Sequence, residues 1–202
     1  RDDTYGGDTN GDGVSTPAPF DWGTISIRNS ANTFDYALVQ YAAYGVEIIN
    51  ASPTIAHTTF RYNQRGIALG SGSPTLSSNL IADNTTYGLF IDSGSPTVIG
   101  NTFSNHAARH LYHGASAAPS YSGNTFTGAG GLAVTVGGGN LSGDITWPPI
   151  DGLGATYVLL GDVTIASDSA LHLPAGHLPH RPGSHVVPGA HHAIRPAPPA
   201  HR

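Results

Sequence analysis

SPTIAHTTFRYNQRGIALGSG (residues 52–72), SPTLSSNLIADNTTYGLFIDSG (73–94) and SPTVIGNTFSNHAARHLYHGASA (95–117) are three versions of one text. Ser-Pro-Thr opens each version, and a weaker fourth, APSYSGNTFTGAGGLAVTVGGG, follows at 118–139. A fixed period near 22 residues, carrying short alternating apolar runs, is the signature of a solenoid in which each repeat packs only on its neighbours.

Aligned on the triplets, like residues form columns. Phe60, Ile81, Phe103 and Phe126 share one, extended backwards by Val39. Ile67, Leu89, Leu111 and Leu132 form a second, extended by Val46, and Ile55, Leu76, Val98 and Tyr121 form a third. Three apolar stretches per period, separated by Gly, Asn and Ser, predict three strands and three corners per coil. Along 66–70 and 88–92 the alternation turns Ile67, Leu69, Leu89 and Ile91 inward and leaves Ala68 and Phe90 outside. Each strand then pairs in parallel with its equivalent one coil away, about 4.8 Å along the axis.

The polar positions repeat as well. Asn79, Asn101 and Asn124, with Thr58 in the first copy, precede the aromatic column by two residues and suit a stacked corner ladder. Gly45, Gly66 and Gly88 mark a further corner where a positive φ costs glycine little, and His110 interrupts that column. His106, His110 and His113 fall within eight residues and read as corner residues rather than ligands.

Composition narrows the classes. Only 10% of residues are charged while Gly (27) and Pro (15) abound, which suits short strands with tight turns and not a helical bundle. The eight basic residues are all Arg, and the formal charge is −5, so the clustered Lys/Arg that nucleic acid needs is missing. With no Cys there is no disulfide framework or thiolate site, and no apolar run approaches the ~18 residues of a membrane span. The start at Arg1 and the absence of Met indicate a mature product or an internal piece of something longer.

The 22-residue coil, the Gly-Asn-x-Phe corners and the Ser-Pro-Thr starts resemble the right-handed parallel β-helix repeats of the pectin-lyase-like superfamily. The likeness covers roughly residues 20–139 and implies an all-β right-handed parallel β-helix of about five coils. It also implies an extracellular or cell-surface bacterial protein. It leaves activity open, because the superfamily mixes lyases, hydrolases, epimerases, adhesins and inert spacers.

Outside the repeat, residues 1–20 form an acidic Gly/Asp-rich loop in which Asp8, Asn10 and Asp12 alternate ahead of Gly13. Three oxygen side chains in a Gly-closed turn make a candidate Ca²⁺ half-site, with a plain Asp/Asn/Gly turn as the alternative. Residues 21–139 hold the β-helix repeats and 140–156 read as a connector around Trp147-Pro-Pro-Ile150. Residues 157–176 resemble the opening of a further β unit. Residues 177–202, with six His, six Pro and no acid, have the composition of a tail that builds no core.

A search for chemistry finds little. Between 52 and 139 the only acids are Asp83 and Asp92, placed after successive strands and expected on different faces, which disfavours a paired-carboxylate site. Arg61, Tyr62, Arg65, Tyr87 and Phe90 are the candidate binding residues, since sugars stack on aromatic rings and hydrogen-bond to guanidinium. Arg109 is a further possible sugar contact. The reading is a non-catalytic repeat module acting as a rigid scaffold, adhesion surface or glycan-contacting surface. Its partners are extracellular polysaccharide or further protein copies, and it does not bind nucleic acid. The alternative is a fragment of a polysaccharide lyase or glycoside hydrolase.

Overall fold

The structure is a computed structural model that describes residues 16–150, 152–153, 156–173 and 193–194. The chain winds as a parallel β-solenoid in which each of the first five turns contributes one strand to each of three faces. The long face has seven strands: Trp22–Ile27, Ala42–Ile48, Arg65–Leu69, Tyr87–Ile91, Arg109–His113, Ala133–Val136 and Thr156–Leu159. The second face stacks Thr33–Asp35, Thr54–Ala56, Thr75–Ser77, Thr97–Ile99 and Ser120–Ser122. The third stacks Leu38–Gln40, Thr59–Arg61, Leu80–Ala82, Thr102–Ser104 and Thr125–Thr127.

The apolar columns run up the inside. Val39, Phe60, Ile81, Phe103 and Phe126 pair in strict register, and the Phe103 and Phe126 rings stack at 5.1 Å. Val46, Ile67, Leu89 and Leu111 form the second stack, and Ile55, Leu76, Val98 and Tyr121 the third. Phe60, Phe103, Ile67, Leu89 and Leu76 have no exposed surface. Each such side chain contributes about 1.5–3 kcal/mol on leaving water.

The second column departs from expectation at its last member. Leu132 is 60% exposed, and Val134 takes the inward place above Leu111, because Tyr112 pairs with Thr135 and His113 with Val136. The Gly-Ala-Gly-Gly stretch at 128–131 lengthens that corner and moves the register by two residues. Both alternatives face the same way on a pleated strand, so alternation alone cannot separate them.

The coil count also changes: the long face has seven strands where about five coils are expected. Gly139–Leu141 pairs with Val163–Ile165, and Ile145–Thr146 with Leu171–His172, so the winding runs on through residues 140–172. Trp147 is fully buried there, donates from Nε1 to the Ala115 carbonyl at 3.1 Å, and packs on Tyr157. Ala193–Ile194, within the segment expected to build no core, adds a short antiparallel strand beside Leu171–His172. The rest of 177–202 lies outside the described residues, as do Asp8, Asn10 and Asp12.

Two corners are set by left-handed backbone. Between the second and third faces stand Tyr36, His57, Ser78, Gly100 and Gly123, with φ from 43° to 64°. Between the third and long faces stand Tyr41, Tyr62, Asp83, Asn105 and Gly128, with φ from 53° to 69°. Gly45, Gly66 and Gly88 belong to neither column; they lie within strands of the long face and have no positive φ. What requires glycine there is a close approach. A Cβ on Gly66 would come 2.6 Å from the Gly88 carbonyl and 2.7 Å from Ile81, and one on Gly88 would come 2.4 Å from His106.

Candidate functional site

The expected Asn ladder forms. The Thr58 N–H donates to Asn79 Oδ1 at 3.0 Å, the Asn79 N–H to Asn101 Oδ1 at 2.9 Å, and the Asn101 N–H to Asn124 Oδ1 at 3.0 Å. A second ladder, which the repeat alignment did not single out, runs up the next corner. The Ala42 N–H donates to Asn63 Oδ1, the Asn63 N–H to Asn84 Oδ1, and the Asn84 N–H to His106 Nδ1 at 3.4 Å. The 21-residue step from Asn63 to Asn84 was its signal, masked by His in the third copy. Both ladders satisfy buried backbone groups at the bends, and so they hold the strands in register for whatever the outer faces present.

The outer side of the long face carries the densest group of aromatic and guanidinium side chains. Tyr44, Arg65, Tyr87 and Arg109 stand in one column, and Glu47, Ala68, Phe90 and Tyr112 in its neighbour. They alternate with the buried residues of the same strands, which is why a pleated strand packed on one side delivers them outward. The Arg65 guanidinium carbon lies 3.8 Å from the Phe90 ring centroid and 4.9 Å from that of Tyr44. Phe90 and Tyr112 stack at 4.2 Å and 7°, with Tyr87 tilted against both. Arg65 and Arg109 both keep Nε shielded from solvent and without a hydrogen-bond partner, while Arg109 Nη1 donates to the Ala108 carbonyl at 3.0 Å. Burial, then Tyr87 and Asp92, push the Tyr112 hydroxyl up against the opposing pull of Arg65, so it stays a neutral phenol.

Three of the five predicted binding residues, Arg65, Tyr87 and Phe90, therefore meet on one surface, joined by Tyr44, Tyr112 and Arg109. Arg61 and Tyr62 do not join them. Arg61 lies on the outer side of the third face, with its guanidinium 5.2 Å from the Tyr62 ring and beside the Gln40 side-chain amide. Tyr62 occupies the left-handed corner column and stacks on Tyr41 at 5.8 Å. One residue of offset at a bend sends a side chain to another face, which spacing in sequence cannot convey.

Asp83 and Asp92 flank Tyr87–Ile91 at opposite ends. A five-residue strand separates them by roughly 16 Å at about 3.3 Å per residue, wider than the carboxylate pairs of glycoside hydrolysis. His106, His110 and His113 are all buried inside the solenoid; His106 stands at a corner as expected, whereas His110 and His113 lie within a strand of the long face. No group of three or more His, Cys, Asp or Glu is placed to hold a metal among the described residues. None of the described residues forms a helix long and apolar enough to cross a membrane.

A family model for the right-handed β-helix region matches residues 20–144, more than half of the chain. The chain belongs to the right-handed β-helix family. The matched span covers six of the seven strands of the long face, and the pectin-lyase-like resemblance of the repeats agrees with it. No curated protein and no solved structure matches the chain.

Proposed function

We propose that this β-helix is a non-catalytic module of an exported or cell-surface protein, a rigid scaffold whose long outer face contacts extracellular glycan. The observation that carries the reading is Arg65 held against Tyr44 and Phe90, beside the Phe90–Tyr112 stack. Flat aromatic surface for the apolar face of a sugar ring, next to an immobilised planar donor for its hydroxyl or carboxylate oxygens, is the pairing that saccharide recognition uses. Stacked strands fix the spacing of these groups at about 4.8 Å per turn, so a linear polymer meets a preorganised row and not a mobile loop.

Titration calorimetry with acidic and neutral polysaccharides, each with and without Ca²⁺, tests this. Binding of at least one polymer is expected, with the affinity reduced at least about tenfold by Arg65→Ala or Phe90→Ala. Failure of every polymer to bind refutes the glycan reading, and the same panel run as a turnover assay decides the lyase or hydrolase alternative, which shortened or unsaturated products would establish.

A further inference from the structure

Three imidazoles lie inside the solenoid where the other turns place asparagine, glycine and aliphatic residues. His106 continues the column of Asn63 and Asn84, His110 that of Gly45, Gly66 and Gly88, and His113 that of Ile48, Leu69 and Ile91. Their exposures are 0%, 1% and 0%. His106 Nε2, His110 Nδ1 and His113 Nδ1 are buried without a partner. On the other side of its ring, His106 accepts the Asn84 N–H at Nδ1, and His113 Nε2 is hydrogen-bonded to the Tyr121 hydroxyl. The His106 and His110 rings meet edge to face at 5.2 Å.

We propose that this histidine cluster makes the last three turns of the solenoid an acid-released segment, closed when the imidazoles are neutral and unwound when they are protonated. An imidazolium donates from both nitrogens. At His106 a new N–H on Nδ1 would face the Asn84 N–H, donor against donor, and break the ladder at the entry to the fifth turn. At His110 and His113 the charged ring carries an N–H on Nδ1, which is buried with no acceptor. His106 and His110 would also place two like charges about 5 Å apart.

Among the described residues no opposite charge acts on the rings; the one favourable partner is the Ile81 backbone beside His106, whose hydrogen bond opposes burial without overcoming it. His106 faces Phe103, Asn84, Gly88 and His110; His110 faces Phe126, Gly130 and His106; His113 faces Tyr121 and Tyr157. The nearby ionic groups Asp92, Arg65 and Arg109 belong to the exposed end or outer side of the long face, where Asp92 and Arg65 act on Tyr112. Burial accordingly draws His106 to about 3, with help from His110, and draws His110 to about 4 and His113 to about 3. An unwound chain returns each to near 6.5. Between those limits the open form binds up to three more protons, so its population rises up to about tenfold per pH unit for each histidine as pH falls.

The release is local because a solenoid turn contacts only its neighbours. The buried bend and core positions of turns two to four hold Asn63, Asn79, Asn84, Asn101, aliphatic residues and phenylalanine, none of which titrates, while the ionisable bend residues His57 and Asp83 are not buried. The segment that opens carries Arg109 and Tyr112 on the same strand as His110 and His113. Opening therefore also dismantles the Phe90–Tyr112 stack on the outer face.

Hydrogen exchange on the full chain at about pH 7.5 and about pH 4.5, corrected for intrinsic rates, tests the proposal without any ligand. Residues 106–172 are expected to lose at least about 100-fold in protection while 42–104 change less than about tenfold. In a Trp22→Phe background, emission from Trp147 should shift to the red over the same pH range, since Trp147 packs in the released segment. The combined variant His106→Asn, His110→Gly, His113→Leu uses residues resembling those of the preceding turns and should hold its protection at the lower pH. Full protection of 106–172 in the wild type at low pH overturns the proposal, as does opening of the variant at the wild-type pH. Should the variant not fold, imidazole proton resonances of the wild type decide. Those of the three buried rings are expected to shift only together with the opening, and independent titration near 6.5 in the folded state overturns the mechanism.

Discussion

Asn101→Ala removes one rung of the first corner ladder and its cost can be worked from the bonds. Asn101 Oδ1 accepts the Asn79 backbone N–H and the Asn79 side-chain amide, both at 2.9 Å, while its Nδ2 donates to the Leu76 carbonyl at 2.8 Å and to Asn124 Oδ1 at 3.1 Å. Asn79 and Asn101 are 2% and 1% exposed, so water does not replace what is lost. Truncation strands the Asn79 N–H and the Leu76 carbonyl, each costing about 1–3 kcal/mol when buried unpaired. Loss of the side-chain links to Asn79 and Asn124 brings the expected destabilisation to about 3–6 kcal/mol. That is a large share of the ~5–15 kcal/mol that holds a typical domain. The assay is urea unfolding by circular dichroism beside hydrogen exchange at the Asn79 amide, with the exposed Thr97→Ala as control, expected within about 0.5 kcal/mol of wild type. An Asn101→Ala protein within about 1 kcal/mol of wild type, at unchanged denaturant slope and with the Asn79 amide still protected, would refute the ladder as a source of stability.

Three further outcomes follow from the geometry. Gly66→Ala should destabilise by more than about 2 kcal/mol through its 2.6 Å approach to the Gly88 carbonyl, measured by chemical denaturation. Gly100→Ala, with φ of 64° and nothing nearer than Ser78 Oγ at 3.8 Å, should lose only the left-handed penalty of about 1–2 kcal/mol, read in the same experiment. Leu132→Gln should leave the thermal midpoint nearly unchanged whereas Val134→Ala lowers it by several degrees, and the reverse order would restore the register expected from spacing.

The parts of this fold that could be read from sequence are those where residue identity and spacing carry one physical meaning. Phe60, Ile81, Phe103 and Phe126 recur at 21 to 23 residues because each must fill the same section of a narrow core. Asn79, Asn101 and Asn124 recur because one amide can serve both a donor and an acceptor at the bend. Legibility failed where a column changed its residue type or its loop length. Leu132 took the expected spacing while Val134 took the place, because a run of glycines absorbs extra residues at no cost to the pattern. Turns six and seven dropped the Ser-Pro-Thr start, so the buried Trp147 passed for part of a connector. Gly45, Gly66 and Gly88 showed the need for glycine and hid its reason, since a forbidden Cβ and a positive φ leave the same letter. On the outer face, Arg65, Tyr87 and Phe90 were recognisable by chemistry. Tyr44 and Tyr112 joined them only once strand pairing fixed which rings are neighbours.

The corner amides have a direction. Asn79 secures the Thr58 N–H and the Ile55 carbonyl, and Asn101 secures the Asn79 N–H and the Leu76 carbonyl, so each clamp fastens the rung synthesised before it. A nascent chain emerging amino end first can thus shape a rung but cannot lock it until roughly another 22 residues have followed. Winding is latched from behind, and the most recently made rung is always the loose one.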